Sequence, residues 1–286
     1  MTFVPPIDLL NASAAETRWG NLGDWSRARS YPEAAEALAV RFGEAAALGP
    51  GQHVLDVGTG AGDQLRVWVE RFGVARVTAV ERDPDLAAAA RSGVEGGGWG
   101  SGVEVVVGDA VRVPVDPASF DRVVSLDAAY FFRNRSDFLA RAYQALRPGG
   151  RLALSDLVQG PGWAGLAARA LAPAFRVPRA NLWTRSEWVG HLESLGFREV
   201  DVADCTDAVL GGFARWSRSA EAGSRVGVGR GGGAIRTVGR VGGGLARRGG
   251  LGYAIVTARK PPGDGEPSPT RAARRGGRSS ATRERA

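Results

Sequence analysis

The residues Val54-Leu55-Asp56-Val57-Gly58-Thr59-Gly60-Ala61-Gly62 place an apolar run, an acid and three alternate glycines in succession. Such a segment is a buried strand emptying into a loop tight enough for a ligand to touch backbone. Glycines in that loop accept positive φ and put no Cβ between the main chain and the ligand. The order is D-x-G-x-G-x-G, whereas a dinucleotide fingerprint is G-x-G-x-x-G with its third glycine at the helix start. A phosphate loop ending in G-K-[ST] is absent, and Lys260 is the only lysine of the chain. A carboxylate beside the loop repels phosphate and suits a ligand that carries an ammonium group. A second run, Arg76-Val77-Thr78-Ala79-Val80-Glu81, ends in an acid 23 positions after Gly58. A carboxylate there can accept both hydroxyls of a ribose.

These residues need a scaffold, and the surrounding pattern supplies one. Leu65, Trp68, Val69 and Phe72 have helical spacing, with Gly73 as a stop. Asp83-Pro84-Asp85 is an N-cap followed by proline at the first helical position, opening a helix through Leu86–Ala90. Val103–Val107 reads as a third strand ending in Gly108-Asp109-Ala110, and Phe120–Asp127 as a fourth. Leu146-Arg147-Pro148-Gly149-Gly150 followed by Arg151–Asp156 reads as a helix end, a turn and a fifth strand. Ser30 and Glu33 form a capping box for a helix reaching Leu48, and Thr184 and Glu187 another for a helix stopped by Gly196. Phe197–Val202 and Gly252–Ala258 alternate as strands six and seven. After strand five, Leu157–Asn181 is too long for a simple connection, and Leu166, Ala170, Leu171 and Phe175 predict a helical patch.

The five features in order over Val54–Asp156 resemble the class I S-adenosylmethionine-dependent methyltransferases. The cofactor of that family has an amino acid end, a sulfonium and a ribose diol, but no phosphate. The resemblance implies an α/β fold: a single Rossmann-like seven-stranded sheet in the order 3-2-1-4-5-7-6, strand seven antiparallel, with helices on both faces. It implies S-adenosyl-L-methionine as cofactor, with Asp109 at the adenine amino group. The residues assigned to the cofactor are Asp56, Gly58, Thr59, Gly60, Gly62, Gln64, Glu81, Arg82, Asp109, Ala110 and Leu126. Trp19–Trp25 resembles a stretch that folds over the cofactor in small-molecule enzymes of the family; a plain packing loop fits it equally well.

The run Asp127–Phe132, continuing to Arg147-Pro148-Gly149-Gly150, is similar to enzymes acting on lipids, isoprenoids and natural products. Methyl transfer to an O, N or C atom of a small-molecule acceptor, by in-line attack on the sulfonium methyl, is therefore the expected function. Such an enzyme has mainly to hold two reactants at attack distance and exclude water. Many relatives carry a histidine in the window Tyr130–Phe132, and this chain does not. That leaves Asp127 and Tyr130 as candidate catalytic groups, with Asp156 as a further possible base. Trp25, Tyr31, Phe131, Asp156 and Trp183 are candidate acceptor contacts, each aromatic being at least as well explained by core packing. Two alternatives remain: a nucleic acid methyltransferase docking through its arginine-rich end, and a non-catalytic module that binds S-adenosylmethionine.

Composition bounds these readings. With 44% hydrophobic and 23% charged residues among 286, the chain can bury an ordinary core. A lone Cys205 excludes an intrachain disulfide framework, and His53 and His191 form no zinc spacing, so no metal is expected. No run of 18 uncharged apolar residues points to a membrane span, no targeting segment is evident, and the cytoplasm is the default. The net charge of +7 owes +4 to residues 260–286, where seven Lys/Arg face three acids. The expected division is an N-terminal helical cap over 1–49, a methyltransferase domain over 50–260 and a disordered basic tail over 261–286. Within the domain lie a lid-like insertion at about 157–190 and a Gly/Arg-rich segment at about 223–250, the latter read as compositional bias. Nucleic acid is accordingly disfavoured as a partner, and the oligomeric state is not written in the sequence.

Overall fold

The computed structural model describes Leu10 and residues 17–112, 115–219 and 230–263. Its elements in chain order are α1 (Tyr31–Ala45), β1 (His53–Val57), α2 (Asp63–Arg66), β2 (Arg76–Glu81), α3 (Pro84–Gly96), β3 (Val103–Val107) and β4 (Phe120–Ser125). Then follow α4 (Arg135–Ala145), β5 (Leu146–Gln159), α5 (Gly162–Leu171), α6 (Arg185–Ser194), β6 (Arg198–Asp204), α7 (Gly212–Trp216), α8 (Arg230–Arg247) and β7 (Leu251–Arg259). The seven strands form one sheet in the order β3-β2-β1-β4-β5-β7-β6. β1 to β5 run parallel, and β7 is antiparallel to both β5 and β6. The expected topology is therefore the observed one.

Side-chain alternation divides the core between the two faces of the sheet. On β7, Tyr253 and Ile255 join one apolar layer with Leu38 and Phe42 of α1, Trp68 and Val54. Ala254, Val256 and Ala258 join the other with Phe138 and Leu139 of α4 and Trp188 and Leu192 of α6. The helix expected within a separate N-terminal cap is thus a layer of the main core. Its start is the expected capping box, and Asp83 caps α3 by accepting from the amides of Asp85 and Leu86 at 3.0 and 3.3 Å. The helix expected through Phe72 changes pitch after Arg66, and a π-helical turn over Val67–Arg71 carries Trp68 into the core.

Two segments differ from expectation in an informative way. The described part of the Gly/Arg-rich stretch contains the helix α8, in which Gly239 and Gly243 form a contact face. A methyl at Gly239 or Gly243 would overlap Ser217 and Ala214 of the α7 region, so the bare backbone permits close helix packing. The helical patch forms as α5, but Leu166 and Leu171 face solvent instead of the core. Of the expected tail, residues from 264 onward lie outside the described residues; Pro261 is tied down by the amide of Gly149 at 3.2 Å.

Candidate active site

Where the parallel strands end, the sheet opens into a cleft of about 580 Å³. The loop after β1 forms its floor. Gly58 and Thr59 donate their amides to the Val80 carbonyl at 2.7 and 3.2 Å, which folds the loop over the end of β2. Gly58 has φ +81°, and a Cβ there would strike Ala128, so this approach requires glycine. The Gly60 amide donates to Glu81 Oε2 at 2.8 Å, and the Asp83 amide to Glu81 Oε1 at 2.9 Å. The glutamate is thereby held at the mouth of β2 with its oxygens fixed in direction. Gln64 braces the loop by donating to the Thr59 carbonyl at 2.9 Å.

Of the residues assigned to the cofactor, Gly58, Thr59, Gly60, Gln64, Glu81, Arg82, Asp109, Ala110 and Leu126 all line this cleft. Asp109 is oriented by the Val111 amide, which donates to its Oδ1 at 3.0 Å. Asp56 and Gly62 do not line it. Gly62, at φ +89°, opens α2 and lies against Ala90 of α3, so its role is packing. Asp56 is wholly buried beneath the loop, where Trp68 Nε1 donates to its Oδ2 at 2.6 Å and Oδ1 has no hydrogen-bond partner. Burial pushes its carboxyl up to about 7, against the opposing Trp68 hydrogen bond.

The acceptor candidates separate more sharply. Asp127 and Phe131 line the cleft; Trp25, Tyr31, Tyr130, Asp156 and Trp183 do not. Tyr31 is buried, with its hydroxyl on the carbonyls of Trp19 and Asn21 at 3.1 and 2.7 Å. Trp25 donates to the Leu22 carbonyl at 2.8 Å and stacks on Trp216. Asp156 is sealed in an ion pair with Arg135 at 2.9 Å, both side chains having zero exposure. The Arg135 guanidinium lies against both Trp183 and Trp188, 4.0 and 4.3 Å from the two ring centroids. Trp183 therefore packs against a buried cation and closes no pocket. An aromatic or an acid at a strand end can also be claimed by the layer behind it, as at these positions.

Asp127 is held unusually tightly. Its φ of +56° is left-handed, a strained backbone for a residue with a side chain. Its amide donates to Ser155 Oγ at 2.8 Å. Oδ2 accepts from the Leu22 amide at 2.6 Å, and Oδ1 from the hydroxyls of Tyr130 at 2.7 Å and Tyr253 at 3.0 Å. Burial lifts this carboxyl to about 6, the three hydrogen bonds opposing the rise. Burial and the neighbouring Asp127 charge raise both tyrosines well above the ordinary phenol value, so they remain donors. Sequence reasoning missed Tyr253, Leu22 and Ser155 as partners of Asp127. It also missed Arg18, Arg133, Arg176 and Pro178 as cleft residues, whereas Phe132, expected beside Phe131 in an apolar pocket, does line the cleft.

The cleft has the chemistry that S-adenosylmethionine requires: bare glycine backbone, two carboxylates at the ends of β2 and β3, and no phosphate cradle. A methyltransferase domain model matches residues 55–154, which span this floor. The chain is 32% identical over 209 residues to the erythromycin 3''-O-methyltransferase of Saccharopolyspora erythraea, covering 69% of this chain and 68% of that one. It is 30% identical over 163 residues to the 27-O-demethylrifamycin SV methyltransferase of Amycolatopsis mediterranei, covering 56% and 60%. In structure it is similar to the geranyl diphosphate C-methyltransferase of Streptomyces coelicolor, with a TM-score of 0.68 over 81% of this chain and 82% of that one at 16% identity. The chain belongs to the class I S-adenosylmethionine-dependent methyltransferases. It is an enzyme that transfers the methyl group of that cofactor to a small-molecule acceptor, and neither the nucleic acid reading nor the non-catalytic one is supported.

Proposed function

We propose that the methylated atom is a hydroxyl oxygen of a natural-product acceptor and that Asp127 is the group that takes its proton. The observation that carries this reading is a single buried carboxylate at the cleft wall, raised to about 6 and fixed by three donors. At pH 7 about nine in ten such groups are ionised, and their basicity exceeds that of an ordinary aspartate. Asp156 is committed to Arg135 and Tyr130 to Asp127, which leaves no other base among the five acceptor candidates outside the cleft wall. Two relatives named for oxygen methylation, of erythromycin and of a demethylated rifamycin, favour oxygen over carbon or nitrogen.

On this reading Glu81 receives the ribose hydroxyls, while Asp109 and Ala110 flank the adenine. The Gly58–Gly60 backbone, Gln64 and Leu126, which line the cleft, would hold the rest of the cofactor, the glycine backbone and Gln64 meeting its amino acid end. When bound, the cofactor supplies an electrophilic methyl on a positively charged sulfur. Phe131 and Phe132 exclude water from the acceptor end, and the Leu22 amide keeps the loop before α1 closed over Asp127. Asp56 acts from below, stiffening the loop through Trp68. No helix among the described residues is long and apolar enough to cross a membrane, and we assign the enzyme to the cytoplasm. Incubation of the protein and methyl-labelled cofactor with cell extract, followed by mass spectrometry, tests the reading. The expected product is a hydroxylated small molecule carrying the label on oxygen; label on carbon, nitrogen or RNA would contradict it.

A further inference from the structure

α5 is amphipathic in the reverse sense. Its buried positions are small, Gly165 and Ala168, with Ala172 following, while Trp163, Leu166 and Leu171 are 83%, 62% and 45% exposed. Only one other large apolar side chain among the described residues, Val107, is comparably exposed. At 100° per residue, Trp163, Leu166 and Ala170 share one outward stripe, with Leu171 at its edge. The inward side fits because a Cβ on Gly165 would overlap the Gly160 carbonyl, so the helix lies directly on backbone. Ordinary surface helices turn their large apolar residues inward, and here the bulk is presented to water.

The surroundings of that stripe are cationic. Residues 157–186 contain Arg169, Arg176, Arg179 and Arg185 and no acid, and Arg185 is ion-paired to Asp201 at 3.8 Å. No acid occurs between Glu221 and Asp264 either. α8 packs beside α5, with Leu245 against the cluster that holds Ala168 and Ala172, and bears exposed Arg247 and Arg248 just beyond. The chain leaving α5 reaches the cleft at once, since Arg176 and Pro178 line it and the cluster beneath α5 contains Tyr130.

We propose that the outward face of α5, with its arginine surround, docks the enzyme on an anionic lipid surface and turns the acceptor end of the cleft toward it. Trp163, Leu166 and Leu171 enter the interfacial layer, and the arginines meet lipid phosphates. A second copy of the chain fits less well. A two-fold contact would set arginines against arginines, and the stripe is far smaller than the roughly 20–30 residues a side of a standard interface. A bilayer demands no matching shape, and tryptophan at the end of an apolar stripe is suited to its boundary. This inference concerns where the enzyme works and is independent of which atom it methylates.

The test is flotation of the full chain with phosphatidylcholine vesicles, alone or with about one third phosphatidylglycerol, at low and high salt. Wild type is expected to bind the anionic vesicles at least about tenfold better than the neutral ones and to lose that preference in high salt. The double substitution Trp163→Ser and Leu166→Ser should reduce binding at least about tenfold, while cofactor affinity by calorimetry stays unchanged. Lipids brominated near the headgroup should quench tryptophan fluorescence in wild type and not in the double variant. Absence of anionic-vesicle binding would overturn the proposal. So would equal binding by the double variant, which would assign the affinity to positive charge elsewhere on the chain. A wild-type dimer dissolved by the same substitutions, seen in sedimentation velocity, would replace the lipid surface by a second copy.

Discussion

Asp127→Asn should make the enzyme more stable and less active, and both changes follow from the same buried charge. The carboxyl rises from 3.8 to about 6 on folding. A raised acid holds its proton more tightly in the native state than in the unfolded one. Stability is therefore lost as pH rises from about 4 to about 6, and the loss persists at higher pH. A rise of about two pH units corresponds to roughly 3 kcal/mol. Asparagine removes that term and can keep the contacts: its oxygen can accept from the Leu22 amide, and its nitrogen can donate to the two tyrosine hydroxyls, which rotate to accept. Any residual misfit of the amide acts at every pH, so the difference in stability between pH 8 and pH 4.5 isolates the charge. Urea unfolding should show the variant gaining about 2–3 kcal/mol relative to wild type across that interval.

Activity should move the other way. Loss of a general base typically removes 10²–10⁴-fold in rate, so kcat should fall by about that factor at pH 8 with cofactor affinity within a few-fold. In wild type, kcat/KM should rise with pH through about 6 and level off, and that limb should vanish in the variant. A variant with near-normal turnover would reduce Asp127 to a latch for the Leu22 loop and leave proximity as the mechanism. A relative stability independent of pH would refute the placement of its charge.

Two further outcomes follow from buried ions. Asp56 has a folded value of about 7, so Asp56→Asn should be relatively more stable at pH 8 than at pH 5, by about 2.5 kcal/mol in urea unfolding. Arg135→Ala strips the buried Asp156 of its ion-pair partner and should cost about 3–5 kcal/mol by denaturant titration, whereas Arg135→Met with Asp156→Leu should recover most of it.

What the sequence disclosed was what lies close along the chain. β2 and β3 were legible to the residue, because each short apolar run is bounded by glycine, proline or an acid. The glycine loop and Glu81 were legible for the same reason, since the parallel register brings the end of β1 beside the end of β2. The surroundings of Asp127 were not, because Leu22 and Tyr253 lie 105 and 126 positions away, and the tyrosine meets it only through the insertion of β7 beside β5. Asp156 misled for a related reason: its partner Arg135 opens α4, one layer behind the cleft. Pattern reading also assumes that large apolar residues point inward, which α5 reverses, and reads a Gly/Arg-rich stretch as compositional bias, whereas α8 uses Gly239 and Gly243 as a packing face.

The central claim is that the loop Gly58–Gly60 and the carboxylate of Glu81 form the cofactor floor, and titration calorimetry with S-adenosylmethionine tests it most directly. Wild type should bind one equivalent. Glu81→Ala removes the acceptor of the Gly60 and Asp83 amides together with the proposed ribose contact, and should weaken binding by about 1–3 kcal/mol with the fold retained by circular dichroism. Equal affinity in the two folded proteins, or no binding by wild type, would contradict the account.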